Sequence, residues 1–108
     1  MFRNRSVLVE LDPMDVQTRL TKGEVTLVDV RETGEHAAER IAGAICLPLS
    51  CFDPATLPGH PSRVILHCAG GKRSAMALEQ CRRAGIEVIG HLRGGIAAWK
   101  AAGLPTSR

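Results

Sequence analysis

The chain is short of aromatic surface: its 108 residues include no tyrosine, one tryptophan and two phenylalanines. Proteins that hold single-stranded nucleic acid stack bases on such rings, and here the 14 lysines and arginines are scattered rather than gathered into a stripe. Nucleic-acid binding is therefore not expected. The net charge of +3 is mild and suits attraction of small anions. No apolar stretch is long enough to span a bilayer, so no membrane partner is expected. The segment Met1-Phe2-Arg3-Asn4-Arg5-Ser6 lacks the apolar centre of a secretion signal. Neither Cys-x-x-Cys nor a His-rich zinc spacing accompanies the four cysteines, Cys46, Cys51, Cys68 and Cys81. The well-developed hydrophobic pattern, 44% of residues, argues against a disulfide scaffold. The expectation is a cytoplasmic protein with reduced thiols. With no internal repeat, low-complexity tract or linker, residues 1–108 read as one domain.

What is present alternates strand and helix. Leu8-Val9-Glu10 reads as a short edge strand. Asp12 caps a helix that starts at Pro13 and runs to about Thr21, ended by Gly23. Val25 to Val30 reads as a buried strand, Thr33 opens a short helix ended near Gly43, and Ala44 to Leu47 is a strand stopped by Pro48. Residues 51–62 carry Pro54, Pro58, Pro61 and Gly59 and read as a loop with one helical turn. Arg63 to His67 is the central strand. Ser74 to Ala84 is a helix with Ala75, Leu78, Cys81 and Met76 as its inward positions, closed by Gly85. Glu87 to Gly90 is a strand, and Ile96 to Ala102 the last helix. Strands separated by helices predict an α/β fold, a parallel sheet with helices on both faces. In such sheets ligands bind beyond the carboxyl ends of the strands.

Cys68 lies immediately after such an end, in the run His67-Cys68-Ala69-Gly70-Gly71-Lys72-Arg73-Ser74. A lone cysteine at a strand end is usually a small buried apolar residue. Gly-Gly is common in turns, Lys and Arg are commonly solvated, and Ser commonly caps a helix. None of these ordinary readings explains the whole set together. Ala69-Gly70-Gly71 lets the backbone turn so that its amides face one point. The next helix presents its positive end there, and Lys72 and Arg73 add full charges. Each effect lowers a thiol pKa, and the thiolate is the reactive form. A nucleophile inside an anion-binding loop points to covalent chemistry on a small anion. Cys68 is thus the predicted catalytic residue, and Ala69, Gly70, Gly71, Lys72, Arg73 and Ser74 the predicted substrate-binding residues.

His67 projects from the opposite side of the strand and reads as a packing residue rather than a general base. His36, His60 and His91 read as loop or surface residues. Asp29 reads as the cap of the turn that follows it. Arg31 and Glu35, four apart, read as a local ion pair. Cys81 falls on the buried face of its helix and reads as inert.

Four ordered segments resemble the single-domain rhodaneses, the thiosulfate sulfurtransferase family. They are Leu27-Val28-Asp29-Val30-Arg31-Glu32 with Glu35; Arg40-Ile41-Ala42-Gly43-Ala44-Ile45-Cys46-Leu47-Pro48; Cys68 to Ser74; and Leu92-Arg93-Gly94-Gly95-Ile96-Ala97-Ala98-Trp99 with Gly103-Leu104-Pro105. The resemblance spans about Leu11 to Pro105. It implies a rhodanese-like α/β fold with a central, mostly parallel five-stranded sheet. Glu39-Arg40-Ile41 departs from the family's frequent Gly-His-Ile, and Cys46 stands where Asn is common, which leaves open a second redox-active thiol there or at Cys51.

The resemblance further implies a sulfurtransferase in which Cys68 takes the sulfane sulfur of thiosulfate, or of a persulfide donor, and passes it to a thiophilic acceptor. That acceptor would be cyanide in an assay and a thioredoxin- or glutathione-like thiol in the cell. No metal or organic cofactor is implied. A persulfide carrier or binding module in a sulfur relay is the alternative. A cysteine phosphatase or arsenate reductase is a further one, but its loop usually has one more residue than the four between Cys68 and Arg73.

Overall fold

The computed structural model describes residues 9–108. Five strands form one sheet: β1 (Glu10–Leu11), β2 (Thr26–Asp29), β3 (Ile45–Cys46), β4 (Val64–His67) and β5 (Gly90–Leu92). Their order is β1-β5-β4-β2-β3, and every pairing is parallel. The four helices are α1 (Pro13–Thr21), α2 (Thr33–Ala38), α3 (Lys72–Arg83) and α4 (Gly95–Ala101). Three short 3-10 turns fill the proline-rich stretch, at Leu49–Cys51, Pro54–Thr56 and Pro61–Arg63. No helix among the described residues is long and apolar enough to cross a membrane.

Side-chain alternation along the strands sorts the core into two layers. Val28, Val30, Val64, Leu66 and Cys68 face α3, where they meet Ala77, Leu78 and Cys81. Leu27, Ile65 and Leu92 face the other way, toward Val16 of α1 and Ile96 and Trp99 of α4. The double-sided burial explains why the strands read as nearly continuous apolar runs. Asp12 caps α1 as expected, its carboxylate accepting from the amides of Met14 and Asp15.

Several boundaries differ from expectation. The first strand is Glu10–Leu11, shifted from 8–10, and Leu8 lies outside the described residues. The fifth is Gly90–Leu92 rather than 87–90. Residues 86–89 are held by single bonds instead, Ile86 N–H to the Cys81 carbonyl and Ile89 N–H to the Val64 carbonyl. Continuous pairing begins only at Gly90, where the backbone of Val9 passes so close that a Cβ could not fit. Helix α3 begins at Lys72, two residues before the expected Ser74. Its inward positions are Ser74, Ala77, Leu78 and Cys81, whereas Met76 is exposed and Ala75 only partly covered.

Candidate active site

Strand β4 ends at His67, paired with Asp29 of β2. Cys68 follows and turns its sulfur toward α3, buried beneath the loop. Gly71 reverses the chain with φ of 106° and is the residue from which α3 starts. A side chain there would be strained by that angle and would crowd the Gly94 backbone. The turn aims amides at the sulfur: Gly71 N–H donates to Sγ at 3.1 Å and Ser74 N–H at 3.3 Å. Ser74 lies in the first turn of α3, so its amide is one of the donors that a helix leaves without an internal partner. Its hydroxyl oxygen is 3.5 Å from Sγ, 3.2 Å from the Gly71 carbonyl and 2.8 Å from His91 Nδ1. Burial pushes the Cys68 thiol pKa up, but the Ser74 hydroxyl and the amides of Ser74, Gly71 and Gly70 outweigh it and hold it below the ordinary 9.0.

The loop is fixed from two further sides. Helix α4 docks end-on, with Ile96 N–H donating to the Cys68 carbonyl at 2.9 Å and Ala97 N–H to the Ala69 carbonyl at 3.1 Å. Gly95, with φ of 62°, permits that approach: a Cβ there would lie against the Cys68 carbonyl oxygen and 2.5 Å from that of Ala69. On the outer side Arg73 makes a two-pronged ion pair with Glu35, Nη1 to Oε1 at 2.7 Å and Nη2 to Oε2 at 3.0 Å. The Arg73 guanidinium holds the Glu35 carboxyl down at about 2. Glu35 also accepts from the Glu32 amide at 2.9 Å, so one carboxylate both caps α2 and ties that helix to the loop. Lys72 is exposed and forms no ion pair among the described residues.

The expected Arg31–Glu35 pair is thus replaced on both sides. Arg31 turns inward to Asp29, with Nη2 to Oδ2 at 2.8 Å and Nε to Oδ1 at 3.0 Å. Asp29 also accepts from the Arg31 amide at 2.9 Å, the turn-capping role expected of it, and meets His36 Nδ1 at 2.9 Å. Burial disfavours its charge, yet the Arg31 guanidinium and the neighbouring histidines keep its pKa below the ordinary value. His67 is fully buried on this face and touches the Cys68 carbonyl through Nδ1 at 3.2 Å, a packing role as expected.

Of the histidines expected in loops or at the surface, His36 is instead half-buried against Asp29, and His91 is the one placed furthest from expectation. It is 1% exposed rather than on the surface, and it joins the site through Ser74. Ending the strand at Gly90 put His91 outside it; in the actual register His91 pairs with Leu66 and therefore shares the Cys68 face. Cys81 is buried in the α3 layer with its thiol pushed up to about 11 by burial, an inert setting as expected. Cys46, half-buried beside the Arg31 carbonyl, is pushed up as well, chiefly by burial.

A rhodanese-like domain model matches residues 12–102 of the sequence. The chain belongs to the rhodanese-like domain family. An uncharacterized protein of Synechocystis is 46% identical over 99 residues, which cover 91% of this chain and 55% of that protein. A protein of Allochromatium vinosum named sulfurtransferase is 35% identical over 89% of this chain and 92% of its own length. Among solved structures, a thiosulfate sulfurtransferase of Pseudomonas aeruginosa superposes with a TM-score of 0.84 at 28% identity, covering 94% of this chain and 20% of that one. This rhodanese-like domain thus spans about half the length of the Synechocystis relative and a fifth of the Pseudomonas chain. Family membership accounts for the four ordered segments and for the parallel five-stranded sheet.

Proposed function

We propose that the domain is a sulfurtransferase that carries sulfane sulfur as a persulfide on Cys68. The observation that carries this reading is the set of groups converging on one buried sulfur: the amides of Gly71 and Ser74 donate to it, and the Ser74 hydroxyl oxygen lies 3.5 Å away. The two amides stabilise negative charge on the thiolate and on the terminal sulfur of a persulfide without rearranging. In the first step the Cys68 thiolate attacks the outer sulfur of thiosulfate. A new S–S bond forms, the old one breaks, and sulfite departs with its electron pair. In the second, a nucleophilic acceptor takes the outer sulfur and the thiolate is restored, a double-displacement sequence. Cyanide serves as acceptor in an assay, and a thioredoxin- or glutathione-like thiol in the cell. The four cysteines are all free, which suits a reducing, cytoplasmic setting.

Recognition of the donor follows from the loop's charges. Lys72 is unpaired among the described residues and extends from the first position of α3. Arg73 shares its charge with Glu35. The pair would meet sulfonate oxygens while Ala69 and Gly70 line the approach. Both cations favour thiosulfate over an uncharged donor. Intact mass after incubation with thiosulfate tests the reading. The parent should gain one sulfur atom and lose it on addition of cyanide, and Cys68→Ser should gain none. Absence of any gain with thiosulfate, 3-mercaptopyruvate and glutathione persulfide would overturn it.

A further inference from the structure

A second buried histidine has no part in the steps above. His91 lies in β5, 1% exposed, in one row of the sheet with Glu10 of β1 and Leu66 of β4. Its Nδ1 is 2.8 Å from the Ser74 hydroxyl. Its Nε2 has no hydrogen-bond partner among the described residues and faces Glu10 Oε2 at 3.5 Å, too long for a good bond but close enough for attraction. Buried polar nitrogens are seldom left so. The groups facing the ring are Ser74 from α3, Cys68 beyond it from the loop after β4, and Glu10 from β1. Glu10 is half-exposed and opens the row to water.

The Ser74 hydroxyl has one hydrogen and three neighbours able to accept it: His91 Nδ1, the Gly71 carbonyl and, once ionised, the Cys68 sulfur. Which neighbour receives it depends on the ring. Burial holds the His91 pKa below its ordinary value, partly offset by Glu10, so the resting ring is neutral with one bare nitrogen. The Glu10 carboxylate favours the proton on Nε2, which leaves Nδ1 to accept from Ser74 and the Ser74 oxygen to accept from the Cys68 thiol.

We propose that His91 is a positioning residue for Cys68, acting through Ser74: ionisation of the thiol switches the His91 tautomer and turns the Ser74 hydroxyl toward the sulfur. The Cys68 S–H bond breaks and its proton becomes the hydroxyl hydrogen of Ser74. The former hydroxyl proton forms the Nδ1–H bond of His91. The Nε2 proton leaves to the Glu10 carboxylate and from there to water. The sulfur ends negative, the ring ends neutral with Nδ1–H donating to Ser74, and Ser74 donates to the thiolate. Each proton moves one bond, and no redox partner is involved. The same arrangement would serve a persulfide anion.

This rests on the reading of Cys68 as the nucleophile, and its test does not depend on sulfur transfer. Nitrogen NMR of the labelled parent should show Nε2–H at low pH and Nδ1–H at high pH, with the midpoint of the change matching that of Cys68 alkylation by iodoacetamide. Ser74→Ala should uncouple the two midpoints. His91→Phe should raise the alkylation midpoint by about one pH unit, an about tenfold loss of thiolate below it. His91→Asn supplies a neutral amide donor near the Nδ1 position and should keep most of the low midpoint. An unchanged tautomer through the Cys68 titration, or equal midpoints in the parent and in folded His91→Phe, would overturn the proposal. Sulfur loading judged by mass would remain a separate result.

Discussion

Asp29 and Cys68 lie on opposite faces of two paired strands, and both are buried among donors. On the Asp29 side the donors are full cations and histidines: Arg31 at 2.8 Å and His36 at 2.9 Å, with His67 behind them. On the Cys68 side they are backbone amides and one hydroxyl. A permanent buried carboxylate needs a permanent counter-charge. A sulfur that alternates between thiol, thiolate and persulfide needs neutral donors, which help the anion without trapping it. His67, which packs beside Asp29, and Cys68 are sequence neighbours, so a single step at the end of β4 separates the face of the structural carboxylate from that of the reactive thiol.

The sharpest way to break the comparison is to remove the structural charge. Asp29→Ala strands the buried Arg31 guanidinium and should cost about 3–5 kcal/mol in chemical denaturation, with any remaining sulfur loading tracking the folded fraction. A cost as small as that of a surface mutation would show that the Asp29 face is not the stabilising one. Next comes the backbone support of the reactive side. Gly95→Ala forces a side chain against the Cys68 and Ala69 carbonyls and should cost about 1–3 kcal/mol; unlike Asp29→Ala it should slow Cys68 alkylation in the molecules that remain folded.

Cys68→Ser should change stability by under about 1 kcal/mol at neutral pH. The gap should carry a pH signature. Because the folded thiol ionises below its ordinary 9.0, its charge adds nothing at low pH, begins to stabilise the parent as pH rises through the folded value, and contributes fully above 9.0. Parent and Cys68→Ser melting temperatures should therefore diverge with rising pH, and parallel curves would refute the donor ring. The smallest effect is expected of Glu35→Gln. Its half-exposed pair with Arg73 is worth about 0–1 kcal/mol. The carboxyl is held at about 2 instead of 4.5, so the contribution is present above pH 4.5 and lost as pH falls through about 2. Glu35→Gln should flatten the parent's acid limb over that interval, and it should raise donor affinity if Arg73 is then freed to bind sulfonate.

The contrast was half legible in the sequence. Alternation on β4 placed His67 and Cys68 on opposite faces, and the Cys68-to-Ser74 run announced a turn of amides around a thiol. Asp29 could be read as a turn cap from its place at a strand end. Ion-pair partners were not legible. The spacing rule joined Arg31 to Glu35, but Arg31 precedes α2 and is free to point inward, which leaves Glu35 for Arg73, 38 residues away. His91 was missed for a reason of register. The apolar run Val88-Ile89 looked like the strand, whereas pairing starts at Gly90, where no side chain would fit beside Val9. A two- or three-residue shift in a short strand decides whether a histidine meets the solvent or the reactive sulfur.

The pairing of the first strand with the last has a consequence for synthesis. Among the described residues strand β1 pairs only with β5, so a chain leaving the ribosome carries Glu10 without a strand partner until residues 90–92 emerge. The docking amides of Ile96 and Ala97 come later still. A nascent chain therefore carries Cys68 together with its donors Gly70, Gly71 and Ser74 before the segments that fix their loop have been made. The donors are local in sequence, but the arrangement that aims them at the sulfur waits for a strand and a helix made after them.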